Sequence, residues 1–111
     1  MLETFKQQFD AQYSKGQSFD RLMSGHNGAS MAMQQIVLSF VDRSYRFNVA
    51  SAFSKLDPEN RRRASWVLTA HECHETFGIL SVIDVCREYP RLIELYEQSD
   101  EMRALIRKNL G

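Results

Sequence analysis

The fold of this chain turns on DPENRRRASWVLTAHECHETFGILSVIDVCREY, Asp57 to Tyr89. Asp57 can accept a hydrogen bond from an orphan backbone N–H at a helix start. Pro58 suits the first helical position, where its missing N–H costs nothing. Glu59 then sits at the positive end of the helix dipole. From Trp66 the apolar residues step through Ala70, Cys73, Phe77 and Leu80, the spacing of one buried helix face. At Gly78 the pattern changes. Ile79, Leu80, Val82, Ile83, Val85 and Cys86 come next, with Ser81, Asp84 and Arg87 as a polar line. In one straight helix that line would fall on the earlier apolar face. Two conformations fit. Either the helix breaks or kinks near Gly78 and a second helix runs to Tyr89, or it is continuous and its second half buries the opposite face against another body.

Outward from this stretch, the chain reads as helix after helix. Leu2, Phe5, Phe9 and Tyr13 predict a first helix over residues 2–14, stopped at Lys15-Gly16. Ser18 is a candidate cap for a short turn carrying Phe19, Leu22 and Met23. Gly25-His26-Asn27-Gly28-Ala29-Ser30 is the clearest loop, with Ser30 expected to cap the next helix. Met33, Ile36, Val37, Phe40 and Val41 predict that this helix is buried and runs to about Asp42. Tyr45 to Val49 alternates but is too short for an independent strand. It reads as an extended connector, with Asn48 capping a short helix through Phe53 to Leu56. Pro90 starts a last helical region with Leu92, Ile93, Leu95 and Tyr96, and Ser99-Asp100 could recap it for Met102, Leu105 and Ile106. The expected fold is therefore all-α: a small bundle of about five helical segments in a single domain, residues 1–111.

Composition bounds the function. The 111 residues are 43% hydrophobic and 25% charged, as in ordinary globular domains. Fourteen Lys and Arg balance fourteen Asp and Glu, so global charge gives no reason to expect nucleic acid or membrane binding. Residues 1–5 carry neither a basic nor an apolar leader pattern, and no apolar run is long enough to span a bilayer. Cys73 and Cys86 lie within apolar patterns and read as buried thiols in a reducing cytoplasm.

Asn27-Gly28-Ala29-Ser30-Met31-Ala32, then Arg46-Phe47-Asn48, then Leu56-Asp57-Pro58-Glu59-Asn60-Arg61 resembles small accessory proteins carried by plasmids, integrative elements and prophages. The resemblance covers roughly residues 22–69. It implies a mobile-element accessory protein that works by binding a host or rival protein, including defence systems, and it implies no chemistry.

Four groups of residues are candidates for a site. His71, His74 and Glu75 would share one side of a helix, and two imidazoles with a carboxylate could hold zinc or another divalent metal if a third element, such as His26, added a ligand. The spacing is not H-E-x-x-H, since Glu75 stands where a zinc protease needs histidine. The plainer reading places these histidines in the last turn before Gly78, complementing the dipole. Arg61, Arg62 and Arg63 form the one basic run, either a solvated face or a contact for an acidic partner. No aromatic platform accompanies them, so single-strand binding is disfavoured. The Gly25–Ser30 loop lacks the phosphate-loop spacing. Finally, Ile79, Val82 and Ile83 belong to a rod that is apolar over most of its girth, a candidate interface for a two-fold homodimer. The leading expectation is a non-enzymatic protein-binding accessory or regulatory protein without cofactor. A zinc-binding helical protein and a nucleic-acid-binding regulator are the alternatives.

Overall fold

The computed structural model describes residues 2–42, 44–69 and 82–95. Among these residues the fold is all-α, with no strand. The helices are α1 (Leu2–Ala11), α2 (Phe19–Ser24), α3 (Gly28–Val41), α4 (Val49–Ser54), α5 (Pro58–Thr69), α6 (Val82–Glu88) and α7 (residues 90–95). The predicted kink near Gly78 lies outside the described residues.

The helix starts obey side-chain chemistry. Ser18 accepts from the Arg21 N–H at the head of α2, and Asn48 accepts from the Ser51 N–H at the head of α4. Asp57 Oδ1 accepts from the Asn60 N–H at 2.8 Å, placing Pro58 first in α5 as expected. At α3 the expectation needs correction. Asn27, not Ser30, is the cap, its Oδ1 accepting from the Ser30 N–H at 2.8 Å. Ser30 is instead buried inside the first turn, directly against Gly25, where a Cβ would stand 2.4 Å from its Oγ. The end of the first helix also moves. α1 ends at Ala11, and tight turns from Gln12 to Phe9, Tyr13 to Asp10 and Gly16 to Tyr13 carry the chain round to α2.

α3 is the central element. Ala32, Met33, Ile36, Val37 and Leu38 are all buried, and α2, α4 and α5 pack around it. Burial on nearly every side is why its sequence is apolar beyond a single stripe. Gln34 is a buried polar residue among them. Its Nε2 donates to the carbonyls of Leu22 at 2.9 Å and Gly25 at 2.8 Å, closing the C-terminal end of α2. Phe5 and Phe9 of α1 fill the space between α2 and α5, meeting Phe19 edge-on and Trp66 at 5.2 and 6.4 Å between centroids.

On α5 the wholly buried residues are Arg63, Ala64 and Val67, while Trp66 is half-buried on the flank against Phe5 and Phe9. The expected stripe led by Trp66 is thus shifted by part of a turn. Its continuation through Ala70, Cys73 and Phe77 lies outside the described residues.

Candidate functional site

The basic run does not form one patch. Arg62 is exposed and pairs with Glu59 at 3.5 Å, and Arg61 donates from Nε to the Phe53 carbonyl at 3.0 Å, tying α5 to the end of α4. Arg63 turns inward and is fully buried. Its Nη1 donates to the Gln17 carbonyl at 2.8 Å and to Asn60 Oδ1 at 3.1 Å, and its guanidinium lies 4.4 Å from the centre of the Phe9 ring. Asp10 stands 3.8 Å from Nη2 and also accepts from the Phe19 N–H at 2.8 Å. Arg63 is therefore a structural pin between α5 and the α1–α2 turn, which corrects its assignment as a partner contact. Position 63 faces the core because it precedes the buried Ala64 and Val67 by one and four residues.

His71, His74 and Glu75 lie outside the described residues, as does Ile79. Among the described residues, no cluster of His, Cys, Asp or Glu could hold a metal ion. The described part of the candidate interface lies on α6.

Val85, Tyr89, Leu92 and Leu95, spaced four, three and three, are buried. They make one inward face, and a polar clasp sets its position. The Tyr89 hydroxyl donates to Asp20 Oδ1, which also receives Lys6 Nζ at 2.9 Å, and the Tyr89 ring meets Phe19 edge-on at 5.4 Å. Three segments of the chain, α1, α2 and the turn between α6 and α7, meet at one carboxylate. The Tyr89 and Lys6 hydrogen bonds hold the Asp20 carboxyl below its ordinary range. The same carboxylate holds Lys6 above the ordinary lysine value. Burial first, then the bond to Asp20, pushes the Tyr89 hydroxyl up, so it stays a donor at neutral pH. Nothing in the local sequence marks this clasp, since its members are 14 to 83 positions apart by number (Lys6, Asp20, Tyr89).

The outward side of α6 is different. Ile83 is 67% exposed and Ile93 on α7 41%. Asp84 pairs with Arg87 at 3.9 Å, and Arg91 pairs with Glu94. Of the described side chains on this rod, Ile83 is exposed, Val85 turns into the core and Cys86 is half-buried, while the Val82 side chain lies outside those described. Burial pushes the Cys86 thiol up, so it is a poor nucleophile at neutral pH. An exposed isoleucine does no chemistry; it offers about 1.5–3 kcal/mol to whatever covers it. No described helix is long and apolar enough to cross a membrane. No family model matches this chain, and neither a curated protein nor a solved structure does.

Proposed function

We propose that this chain is a non-enzymatic accessory or regulatory protein that works by binding another protein through the outward side of α6. The observation that carries the proposal is Ile83, the most exposed large apolar residue among those described, on a helix anchored inward by Val85 and, just past its end, by Tyr89. Single exposed apolar residues are ordinary. This one follows Ile79, Leu80 and Val82, with Ser81 between them, so a mostly apolar stretch of sequence leads into the exposed position. The resemblance of residues 22–69 to accessory proteins of plasmids, integrative elements and prophages supports a host or defence protein as the target. A cytoplasmic site of action fits that target.

A second copy of the chain is one candidate occupant. Sedimentation at micromolar concentration tests it: a dimer dissociated by Ile83→Glu without loss of helicity establishes self-association, and a sharp monomer removes it. A protein from the host that co-purifies with the wild type but not with Ile83→Glu establishes a heterologous partner. Equal recovery with both variants would sink the α6 proposal. Zinc uptake in equilibrium dialysis, lost in His71→Ala, would instead favour the metal-binding alternative. Tight, strongly salt-dependent DNA binding would favour the nucleic-acid alternative.

A further inference from the structure

Asn27 is followed by Gly28, and the two residues meet at the head of the central helix. An asparagine side-chain amide can be attacked by the backbone nitrogen of the next residue. The reaction is fastest when that residue is glycine, which has no side chain to obstruct the approach and the widest backbone freedom. We infer that Asn27 is a site of spontaneous deamidation, gated by opening of the α3 cap. The inference is independent of the proposed binding role.

The local geometry supports each part of this. Asn27 is exposed, so water reaches it. Gly28 is the first residue of α3, where the backbone N–H has no acceptor within the helix and is not held back by one. Apart from its chain neighbours and the helix's own backbone, a Cβ built on Gly28 would meet one atom within 4 Å, Lys55 Cδ at 3.8 Å, so an alanine fits there without displacing the cap. The restraint is the cap itself. Asn27 Oδ1 accepts from the Ser30 N–H at 2.8 Å, with the Asn27 backbone extended at φ −76° and ψ 168°. Attack requires this bond to break and ψ to rotate, so the reaction waits on fraying of the first turn.

The step balances without an oxidant or reductant. The Gly28 nitrogen bonds to Asn27 Cγ, and the Cγ–Nδ2 bond breaks. The proton from the Gly28 N–H leaves with the amide as ammonia. Water then opens the resulting five-membered imide, adding hydroxyl to one of its two carbonyl carbons and a proton to the departing nitrogen. Opening at Cγ leaves an aspartate, which still caps. Opening at the backbone carbonyl leaves an isoaspartyl linkage, which puts an extra methylene into the main chain and moves the cap oxygen away from Ser30.

The chain carries its own control. Asn48 caps α4 with the same kind of bond, Oδ1 accepting from the Ser51 N–H at 2.9 Å, and is also exposed. Its successor is Val49, whose branched side chain crowds the approach. Full-length protein held at neutral pH and physiological temperature, then digested and read by mass spectrometry, should gain one mass unit at Asn27, with isoaspartyl as part of the product. Asn48 and Asn60 should remain amides over the same period. Gly28→Ala, which fits the open space and keeps the cap, should slow the gain at Asn27 by an order of magnitude. A synthetic peptide of residues 22–35 should convert faster than the folded chain. Three results would overturn the inference: Asn27 unchanged while that peptide converts fully, Asn48 converting as fast as Asn27, or Gly28→Ala leaving the rate unaltered.

Discussion

Arg63 places a guanidinium inside the protein, where Nη1 donates to a carbonyl and an amide oxygen and the group lies over an aromatic face, while Nε is buried without a hydrogen-bond partner. Burial lowers its pKa, and Asp10 and Asp57 oppose that shift; an arginine so placed remains charged at any ordinary pH. Arg63→Ala should lower stability by about 3 kcal/mol, because it removes charge-assisted hydrogen bonds and the contact of the guanidinium with the Phe9 ring. Arg63→Lys should recover little, since an ammonium cannot replace the planar fork. Denaturant midpoints for the two variants check this, and a midpoint for Arg63→Ala like that of the wild type would mean the residue is a surface cation after all. Gly16 gives an independent test of the same pin. A Cβ there would stand 2.4 Å from the Tyr13 ring and 3.1 Å from Arg63 Nη1, so Gly16→Ala should be destabilising although alanine ordinarily helps a turn lose less entropy.

At the scale of elements, short helices persist here because side chains close their ends. α2 has six residues, too few to hold alone. Ser18 caps its start, and Gln34, reaching from α3, takes up the carbonyls of Leu22 and Gly25 at its end. Gln34→Met keeps the volume but strands those carbonyls, and should cost about 2 kcal/mol. Hydrogen exchange should show the loss first in α2, and protection lost evenly across all helices would count against a local role. Trp66 belongs to the packing of α1 on α5. Trp66→Ala should cost about 3 kcal/mol, the low end for a large aromatic, because the ring is half-buried and not enclosed.

For the whole molecule, the Lys6–Asp20–Tyr89 clasp couples α6 and α7 to α1 and α2, and it makes their docking sensitive to pH. The folded pKa of Asp20 is depressed, chiefly by the Tyr89 hydroxyl and then by Lys6. Its contribution is therefore complete above the unfolded value of about 3.9 and is lost as pH falls through the folded value. Tyr89 and Lys6 act in the opposite direction. Both are raised, so their contributions hold below the unfolded values, about 10 and 10.4, and fade as pH rises beyond them. Because Asp20 is mostly exposed, the bond is worth about 1 kcal/mol. Tyr89→Phe should lose about that much at neutral pH and flatten the acid limb of the stability profile. A wild-type profile already flat from neutral to about pH 3 would leave Asp20 without this role. Ile83→Glu, by contrast, should leave monomer stability within about 0.5 kcal/mol, as surface changes do, while abolishing whatever contact the outer side of α6 makes.

The sequence by itself determined the all-α class, the caps at Ser18, Asn48 and Asp57, the entry of Pro58 into α5, and the burial of Met33, Ile36 and Val37. These features depend on residues within one or two turns of one another, where capping and periodicity act. Tertiary structure decided the rest. It chose Asn27 over Ser30 as a cap, because Ser30 is enclosed against Gly25. It turned Arg63 inward where three consecutive arginines read as one surface run, because the acceptor that satisfies Nη1 is the Gln17 carbonyl, 46 positions away. It left Ile83 outside while Val85 went in, because Tyr89 finds its acceptor on α2. Which polar group is satisfied, and so which side of a helix faces the core, is set by partners distant in the chain that no local spacing encodes.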